Sequence, residues 1–377
     1  MRWMKVLTIT VACLGLSVAI AQAQEDGTKE PCPRNPRQKL APEELQRKLS
    51  DHMRWLNEAT SSAVPNSASS LRANLCNADL RGAELNNTNL FGAKLNNADL
   101  GGAKLNKANL RWAELNEANL GGTELNNANL GGAELKEAHL AYAQLKEATY
   151  APTSAPPNSH VVGITGLDTV TFPKGAESGL VQLRDLLKKA GLRDLERQAT
   201  YAIESGKTQH ALNTWNDDPI NAAEGVFRLI TFDLTTAYGL HPSRALTLIG
   251  FVWLLLIPAY WDSVWEAKAS SGIFQVWSKD RIETWGGTPT VNASIYVQRL
   301  HAPGLKGLPW AAYFSLLSAF HIGFREFSVG TWLSRVQSRS YTLQSEGWVR
   351  TVSGIQSLLS VFLFAMWALT YFGRPFQ

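Results

Sequence analysis

The sequence predicts a multidomain protein that combines a β-helix, an α-helical hairpin and an α-helical transmembrane domain. Three observations support this prediction. A five-residue repeat runs through residues 71–150, two helical patterns meet near Gly191, and uncharged apolar runs occupy residues 245–261 and 351–373. The chain has 377 residues, which is enough for two or three domains.

The central repeat has a five-residue period, and neither a helix nor a flat strand could bury all of its repeated apolar side chains on one face. Every fifth residue from Leu75 to Leu145 is leucine, and every fifth residue from Ala73 to Ala148 is alanine or threonine. On a helix this stride places successive leucines about 140° apart, and in a strand it alternates their faces. All of them point inward only if the chain is extended through each Ala-x-Leu unit and bends within the next two residues. Such coils stack about 4.8 Å apart and form a β-helix.

Sixteen consecutive units of the A(D/N)LxG type resemble the pentapeptide-repeat family. The resemblance implies a right-handed, four-sided β-helix with leucine and alanine inside and twenty residues in each coil. Such a coil should stack Asn86, Asn106 and Asn126 on one side, and Asn96 and Asn116 on another. Stacked asparagine side chains can hydrogen-bond along a ladder of this kind.

The outward face of the solenoid carries nearly balanced charge. Residues 72–150 hold eight Lys/Arg and nine Asp/Glu, and the whole chain has a net charge of only +4. Mimicry of duplex DNA needs a continuous negative field, which this surface lacks. The small net charge, in turn, points to no nucleic-acid partner. Phe91, Trp112 and Tyr142 occupy outward corner positions, where they could form a patch that docks an unidentified protein partner. A solvated mixed surface is the alternative.

The first seventy residues predict an exported leader. Residues 1–23 have the basic start, apolar run and small-residue cleavage site of a signal peptide, so that residues 24–70 begin the mature chain. Cys32 and Cys76 could pair in an oxidising compartment, but nothing in the sequence fixes their distance, and unpaired thiols are an equal alternative. Within the leader, residues 42–58 predict a helix that caps the exposed edge of the first coil.

Two further segments separate the repeat from the membrane domain. Residues 151–176 have the Pro- and Ser-rich composition of a linker, within which VVGITGLDTVTF can add one or two strands. Residues 177–218 predict a helical hairpin split at Gly191. This hairpin resembles the one that leads into the membrane part of certain pentapeptide-repeat membrane proteins.

Residues 219–377 predict a membrane domain. Its spans are expected at about 245–261 and 351–373, close to the roughly twenty apolar residues that a bilayer requires. Residues 309–324 are also uncharged and predict a re-entrant or interfacial segment. A third span there is disfavoured, because it would place several arginines of the following loop outside the cytoplasm.

The membrane domain also resembles the two-helix pore module of potassium-channel-like proteins. In that resemblance the filter would fall on His321, Gly323, Phe324, Arg325 and Glu326. Arg325 stands where such a filter has its second glycine, which implies a degenerate filter without potassium selectivity. An interfacial salt pair between Arg325 and Glu326 is the alternative.

The sequence offers no catalytic, metal-binding or cofactor-binding residues. The seven histidines lack zinc-site spacing, and no nucleophile motif or glycine-rich cofactor loop is found. Repeat surfaces mostly bind rather than catalyse. We therefore expect a non-enzymatic protein tethered to the bacterial inner membrane, whose periplasmic solenoid serves as a binding or scaffold module. The alternative is an oligomeric, channel-like protein, dimeric or tetrameric, in the same lipid bilayer.

Overall fold

The computed structural model describes residues 32, 38–59, 71–157, 160–265, 271–278, 295–319 and 342–372. The chain divides into two compact units, residues 1–226 and 227–377. The solenoid and its caps lie in the first unit, and the two long apolar helices lie in the second. The predicted signal peptide and the loop residues 321–326 lie outside the described residues.

The repeat winds into a coil that closes every twenty residues. Successive coils pair in parallel through residues twenty apart, as Lys94 pairs with Glu114. The Leu95 N–H donates to the Glu114 carbonyl at 2.8 Å, and equivalent bonds recur along the shaft. The inward leucines and alanines form one continuous buried core. The predicted β-helix is confirmed, since one coil contains four five-residue units.

Each corner of the coil contains one residue in the left-handed backbone conformation. After Leu95, Asn97 has a φ of 59°, and the Ala98 N–H donates to the Leu95 carbonyl at 3.1 Å. This is the hydrogen bond and φ pattern of a type II turn. Other corners place Lys, Glu, Trp or Tyr at the same position, at a conformational cost of about 1–2 kcal/mol per residue. The hydrogen bonds between coils offset that cost.

Asparagine side chains connect neighbouring coils in two ladders. Asn86 Oδ1 accepts from the Asn106 N–H at 3.1 Å, and Asn106 Oδ1 accepts from the Asn126 N–H at 3.2 Å. Asn96 Oδ1 accepts from the Asn116 N–H at 3.0 Å on another side. Both predicted ladders are present. The side chains bond the backbone of the next coil, which satisfies N–H groups at the corners that the strand pairing does not reach.

Two threonines replace inward alanines without leaving a hydroxyl unsatisfied. Thr123 is fully buried, and its Oγ1 donates to the Leu100 carbonyl at 2.9 Å. Thr88 Oγ1 donates to the Leu85 carbonyl at 2.7 Å. A buried hydroxyl is tolerated when it finds an acceptor, so both substitutions preserve the core.

The first coil is covered by the leader. Helix α1 (Pro42–Ala59) packs against the core, and strand β1 (Gln38–Lys39) pairs in parallel with strand β2 (Ala78–Asp79) of the first coil. A disulfide joins Cys32 to Cys76, with their Cα atoms 5.7 Å apart. The structure thus decides between the two alternatives that the sequence left open for these cysteines. The leader pairs with backbone groups at the exposed edge of the first coil and covers that edge, which would otherwise attract another strand.

His52 is the buried polar residue of this cap. Its Nδ1 accepts from the Ala73 N–H at 3.1 Å, and its ring stacks on Trp55 with the ring centres 5.3 Å apart. Burial, assisted by the nearby positive charge of Arg72, lowers the pKa of His52 from 6.5 to about 4. The ring is therefore neutral near pH 7, as its acceptor role requires.

The segment predicted as a linker, residues 151–176, instead extends the solenoid. Gln144 pairs with Thr165, and Thr149 pairs with Thr171. Five apolar side chains continue the buried core: Val161, Ile164, Leu167, Val170 and Phe172. The linker prediction was wrong because it rested on proline and serine content, whereas the inward positions had kept their apolar character.

A helical hairpin covers the last coil. It consists of α2 (Ser178–Lys189) and α3 (Arg193–Leu212), joined through Gly191, whose φ of 73° ends the first helix. Apolar residues of both helices belong to the solenoid core: Leu180, Leu183, Leu187, Ala199, Ala202 and Ile203. The core is consequently closed at both ends.

The remaining elements are mostly helical. In chain order they are α4 (Pro219–Arg228), a π-helical turn (Leu229–Asp233), α5 (Leu234–Thr236), α6 (Ser243–Trp265), β3 (Gly272–Ser278), β4 (Ile295–Arg299), a 3-10 helical turn (Gly304–Gly307), α7 (Leu308–Ala319), β5 (Thr342–Glu346) and α8 (Trp348–Phe372). The three strands form an antiparallel sheet in the order β4-β3-β5. Helices α6 and α8 are long and apolar enough to cross a membrane.

Helix α7 packs against both α6 and α8. Its 12 residues rise only about 18 Å, too short for a hydrocarbon core of about 30 Å. The segment predicted at 309–324 is therefore a short helix as far as Ala319, and its last residues lie outside the described part of the chain. No third span is formed by these helical residues.

We expect Asn106→Ala to lower the free energy of unfolding of the solenoid by about 1–3 kcal/mol. The substitution removes the bond to the Asn126 N–H and a second bond, from Asn106 Nδ2 to Glu124 at 2.7 Å. Urea unfolding of the chain in detergent, followed by circular dichroism, measures the change. Asn127→Gly is the matched control, because Asn127 is exposed with a φ of 59° that glycine adopts freely. Equal losses in the two variants would contradict the ladder's role.

We expect the N-terminal cap to weaken as the pH falls from 6.5 towards 4. The folded-state pKa of His52 lies below its ordinary value, so its contribution is complete above pH 6.5 and declines by up to roughly 3 kcal/mol in acid. Hydrogen exchange of the Ala73 amide, corrected for its intrinsic pH dependence, reports the loss. His52→Gln keeps an acceptor but does not titrate, and it should flatten this pH dependence. An unchanged slope in that variant would exclude His52 as the cause.

Candidate functional site

The three predicted docking aromatics do not form one surface patch. Phe91 was expected to be exposed, but it is buried in a cluster with Trp55 and Leu56 of α1, and Trp112 packs at the edge of that cluster. Tyr142 alone is exposed, at 67%. The twenty-residue coil explains the separation, because positions 91 and 112 share one corner whereas position 142 lies half a coil away. The correction for Phe91 follows from the cap, which the repeat pattern does not specify.

Each of the two partly or fully exposed rings lies on a glycine of the next coil. A Cβ atom at Gly132 would approach the Trp112 ring to 2.7 Å, and one at Gly163 would approach the Tyr142 ring to 2.4 Å. Both glycines also have positive φ angles. These aromatics therefore serve the stacking of coils, and Tyr142 adds an exposed ring face at the C-terminal end of the shaft.

A shallow polar recess lies beside the last coils of the solenoid. It has a volume of about 380 Å³ and is lined by Asn126, Gln144, Lys146, Thr165, Gly166, Asp168 and Thr169. The Asn86 ladder ends here, where Asn126 Oδ1 accepts from the Lys146 N–H at 3.1 Å. The recess offers amide and hydroxyl groups together with one cation and one anion. These groups could hydrogen-bond or form an ion pair with a partner that carries either charge.

Another side of the solenoid carries a column of titratable residues. Arg81 pairs with Asp79 at 2.7 Å and holds the pKa of that carboxyl at about 2. Further along the column, the rings of His139 and His160 stack with their centres 3.3 Å apart. Among the described residues, no three acidic, histidine or cysteine side chains come close enough together to hold a metal ion.

A polar cluster joins the three packed helices of the second unit. The Tyr260 hydroxyl of α6 donates to Gln356 Oε1 of α8 at 2.7 Å, and Gln356 Nε2 donates to the carbonyl and hydroxyl of Ser315 in α7, each at 3.0 Å. Ser315 Oγ donates to the Trp253 carbonyl at 2.9 Å. The cluster is buried and uncharged, and its hydrogen bonds hold α7 against both apolar helices. It offers no nucleophile–base pair for catalysis.

Helix α7 runs back along α6 from the end that adjoins the sheet. The Trp261 indole donates to the Gly304 carbonyl, just before α7, and the Trp253 indole donates to Ala312 within it, each at 3.0 Å. Since α6 ends at Trp265, α7 reaches the middle of that helix. The predicted pore residues His321, Gly323, Phe324, Arg325 and Glu326 follow α7 but lie outside the described residues, so their arrangement stays a prediction.

Comparison with known proteins identifies the repeat. Residues 71–149 match, in overlapping segments, the family model described as pentapeptide repeats (8 copies). No curated protein gave a match. Solved structures that resemble part of the chain include a pentapeptide repeat protein from the thylakoid lumen of Arabidopsis thaliana. It shares 23% identity, with 30% of this chain and 75% of that chain covered and a TM-score of 0.25.

Two cyanobacterial structures are similar in the same way. Rfr23 of Cyanothece 51142 shares 27% identity, with 30% of this chain and 65% of that chain covered and a TM-score of 0.21. HetL of Nostoc sp. strain PCC 7120, described as involved in heterocyst differentiation regulation, shares 30% identity, with coverages of 28% and 55% and a TM-score of 0.13. Pentapeptide repeat proteins are generally structural or binding proteins, and no enzyme family matches. By its family-model match and its twenty-residue coil, the segment 71–149 is a pentapeptide-repeat domain.

Proposed function

We propose that this chain is a non-enzymatic scaffold or binding protein, tethered to the bacterial inner membrane with its solenoid in the periplasm. The single observation that carries the proposal is the pair of long apolar helices with large exposed side chains. The capped solenoid supplies the binding surface, and the helices supply the anchor. The bound partner is a protein with polar surface groups.

The apolar helices have the length and the surface that a bilayer requires. At 23 and 25 residues, α6 and α8 rise about 34 and 38 Å, more than the hydrocarbon thickness of about 30 Å. Phe251, Leu255 and Leu358 are each more than 60% exposed. Exposure of such an apolar surface to water is unfavourable, whereas its contact with lipid acyl chains is not.

The disulfide supports a location outside the cytoplasm. Cys32 and Cys76 join the leader to the first coil. Disulfides persist in oxidising compartments such as the periplasm and are rare in the cytosol. The signal-like residues 1–23 point to the same compartment. Two independent features therefore favour export of the solenoid.

The polar recess is the proposed contact surface. Its amide, hydroxyl, ammonium and carboxylate groups lie close together, and Tyr142 exposes an aromatic ring on the same terminal coils. Interfaces combine aromatic anchors with satisfied polar groups, so this end of the solenoid suits a protein partner. The nearly balanced charge of the shaft disfavours nucleic acid.

The tether is tested on the full chain expressed in a Gram-negative bacterium. We expect the protein to stay in the membrane pellet after alkaline carbonate washing. A reporter fused after Gln377 should lie in the periplasm if both spans cross, whereas reporters in the loop after Ser270 should be cytoplasmic. Recovery in the soluble fraction, with residues 245–373 open to protease, would refute the tether.

The disulfide gives a separate readout of compartment. We expect Cys32 and Cys76 to resist a maleimide reagent in cells until a reductant is added. Cys32→Ser is the control, because it leaves Cys76 free and should react at once. Immediate labelling of Cys32 and Cys76 in the unaltered protein, located by peptide mapping, would contradict a periplasmic solenoid while leaving membrane attachment untouched.

A second candidate is an oligomeric, channel-like protein with a degenerate filter. The observation that favours it is α7, a short helix that reaches the middle of α6 and is held there by the Ser315–Gln356 bonds. In the pore module that this region resembles, a short helix precedes the filter residues. Ion flux through purified protein in liposomes tests this function, with Arg325→Gly as the comparison. Absence of flux in both proteins would exclude it.

A further inference from the structure

A row of large apolar side chains faces outward just before the first candidate span. Phe227, Ile230 and Leu234 are 60%, 56% and 59% exposed. They lie in the segment 227–236, which covers the end of α4, the π-helical turn and α5. Their spacing of three and four residues places them on one side of the helical segment.

The threonine side chains of this segment turn back onto its own backbone. Thr231 Oγ1 donates to the Phe227 carbonyl at 2.7 Å, and Thr236 Oγ1 donates to the Phe232 carbonyl at 3.3 Å. Thr235 Oγ1 donates to the Thr231 carbonyl. These hydroxyls need no water, which is the arrangement that polar groups adopt where water is scarce.

The position of the segment along the apolar helices can be derived from the chain path. Helix α6 leads into β3, α8 follows β5, and the two strands are paired, so both helices meet the sheet at one end. Helix α5 precedes α6 and contacts both α6 and α8. It therefore lies at the end away from the sheet, beside the last turns of α8.

Aromatic side chains mark that same end. Trp367 stacks on Tyr371 with ring centres 5.7 Å apart, and Tyr371 packs edge-on against Phe372. Tyr371 and Phe372 are exposed. Trp and Tyr are enriched where a membrane-spanning helix meets the headgroup region. The exposed apolar row is thus level with an aromatic belt.

We propose that residues 227–236 lie in the headgroup region of the bilayer. Phe227, Ile230 and Leu234 insert among the parts of the acyl chains that lie nearest the headgroups. This inference rests on the proposed membrane tether and assigns a lipid surface as the occupant of the row. The segment carries one arginine and one aspartate, Arg228 and Asp233. Insertion should accordingly not depend on anionic lipid.

Depth-dependent fluorescence quenching tests the proposal on the full chain in liposomes of neutral phosphatidylcholine. Three variants, Ile230→Cys, Leu254→Cys and Lys146→Cys, each made in a chain that also carries Cys13→Ser, are labelled with an environment-sensitive dye. The Cys32–Cys76 disulfide protects the other two native cysteines from labelling. Quencher lipids carry a doxyl group either near the headgroup or deep in the acyl chain. Leu254 is exposed in the middle of α6, and Lys146 is exposed on the solenoid.

We expect the dye at position 230 to be quenched by the shallow doxyl lipid about two-fold or more above the deep one. The dye at position 254 should show the opposite order, and the dye at position 146 should show no quenching. Quenching at 254 without quenching at 230 would overturn this inference and leave the tether intact. Absence of quenching at both positions would refute the tether itself.

A second copy of the chain is the competing occupant of the row. In that case the dye at position 230 would be shielded from both lipids and would self-quench between copies as the protein-to-lipid ratio rises. That result overturns the proposal.

Ile230→Asp provides the matched perturbation of the unlabelled chain. It should increase protease cleavage within 227–236 in liposomes several-fold, whereas Ile230→Leu should leave cleavage unchanged.

Discussion

The structure depends on one constraint, which is that the backbone turns a corner after every leucine. The residue two places beyond each leucine takes the left-handed conformation, and the next alanine N–H bonds back to the leucine carbonyl. Because the turn returns the chain to an extended path, each Ala-x-Leu unit reaches the same inward orientation. The coil of twenty residues, the buried core and the side-chain ladders all follow from this local geometry.

A stack of coils leaves two unsatisfied ends, and this chain closes them differently. The leader adds a strand, a helix and a disulfide at the first coil, whereas a helical hairpin contributes apolar side chains at the last. His52 connects the first cap to the shaft through the Ala73 N–H. The caps convert a repeat that could continue indefinitely into a domain of defined length.

The elements with a regular period could be predicted from the sequence. The features that depend on contacts between segments distant in the sequence could not. The inward leucines follow directly from the five-residue stride, and the Asn106 ladder follows from the twenty-residue coil that the family resemblance implies. The burial of Phe91 could not be predicted, because its partner is a helix outside the repeat.

Residues 151–176 were misassigned, because their prolines suggested a linker while Val161 and Leu167 still faced the core. The pairing of Cys32 with Cys76 required a distance that no local pattern contains. The buried links between Tyr260, Gln356 and Ser315 were missed for a similar reason, although uncommon polar residues in apolar helices were the available signal.

The twenty-residue closure of the coil also determines how this shaft can lengthen or shorten. Loss or gain of exactly one circuit changes its height by about 5 Å and preserves the direction in which each cap faces. A change of five residues instead rotates the terminal hairpin by a quarter turn around the axis. Such an edit redirects everything attached downstream, so that viable length variants should differ in whole circuits.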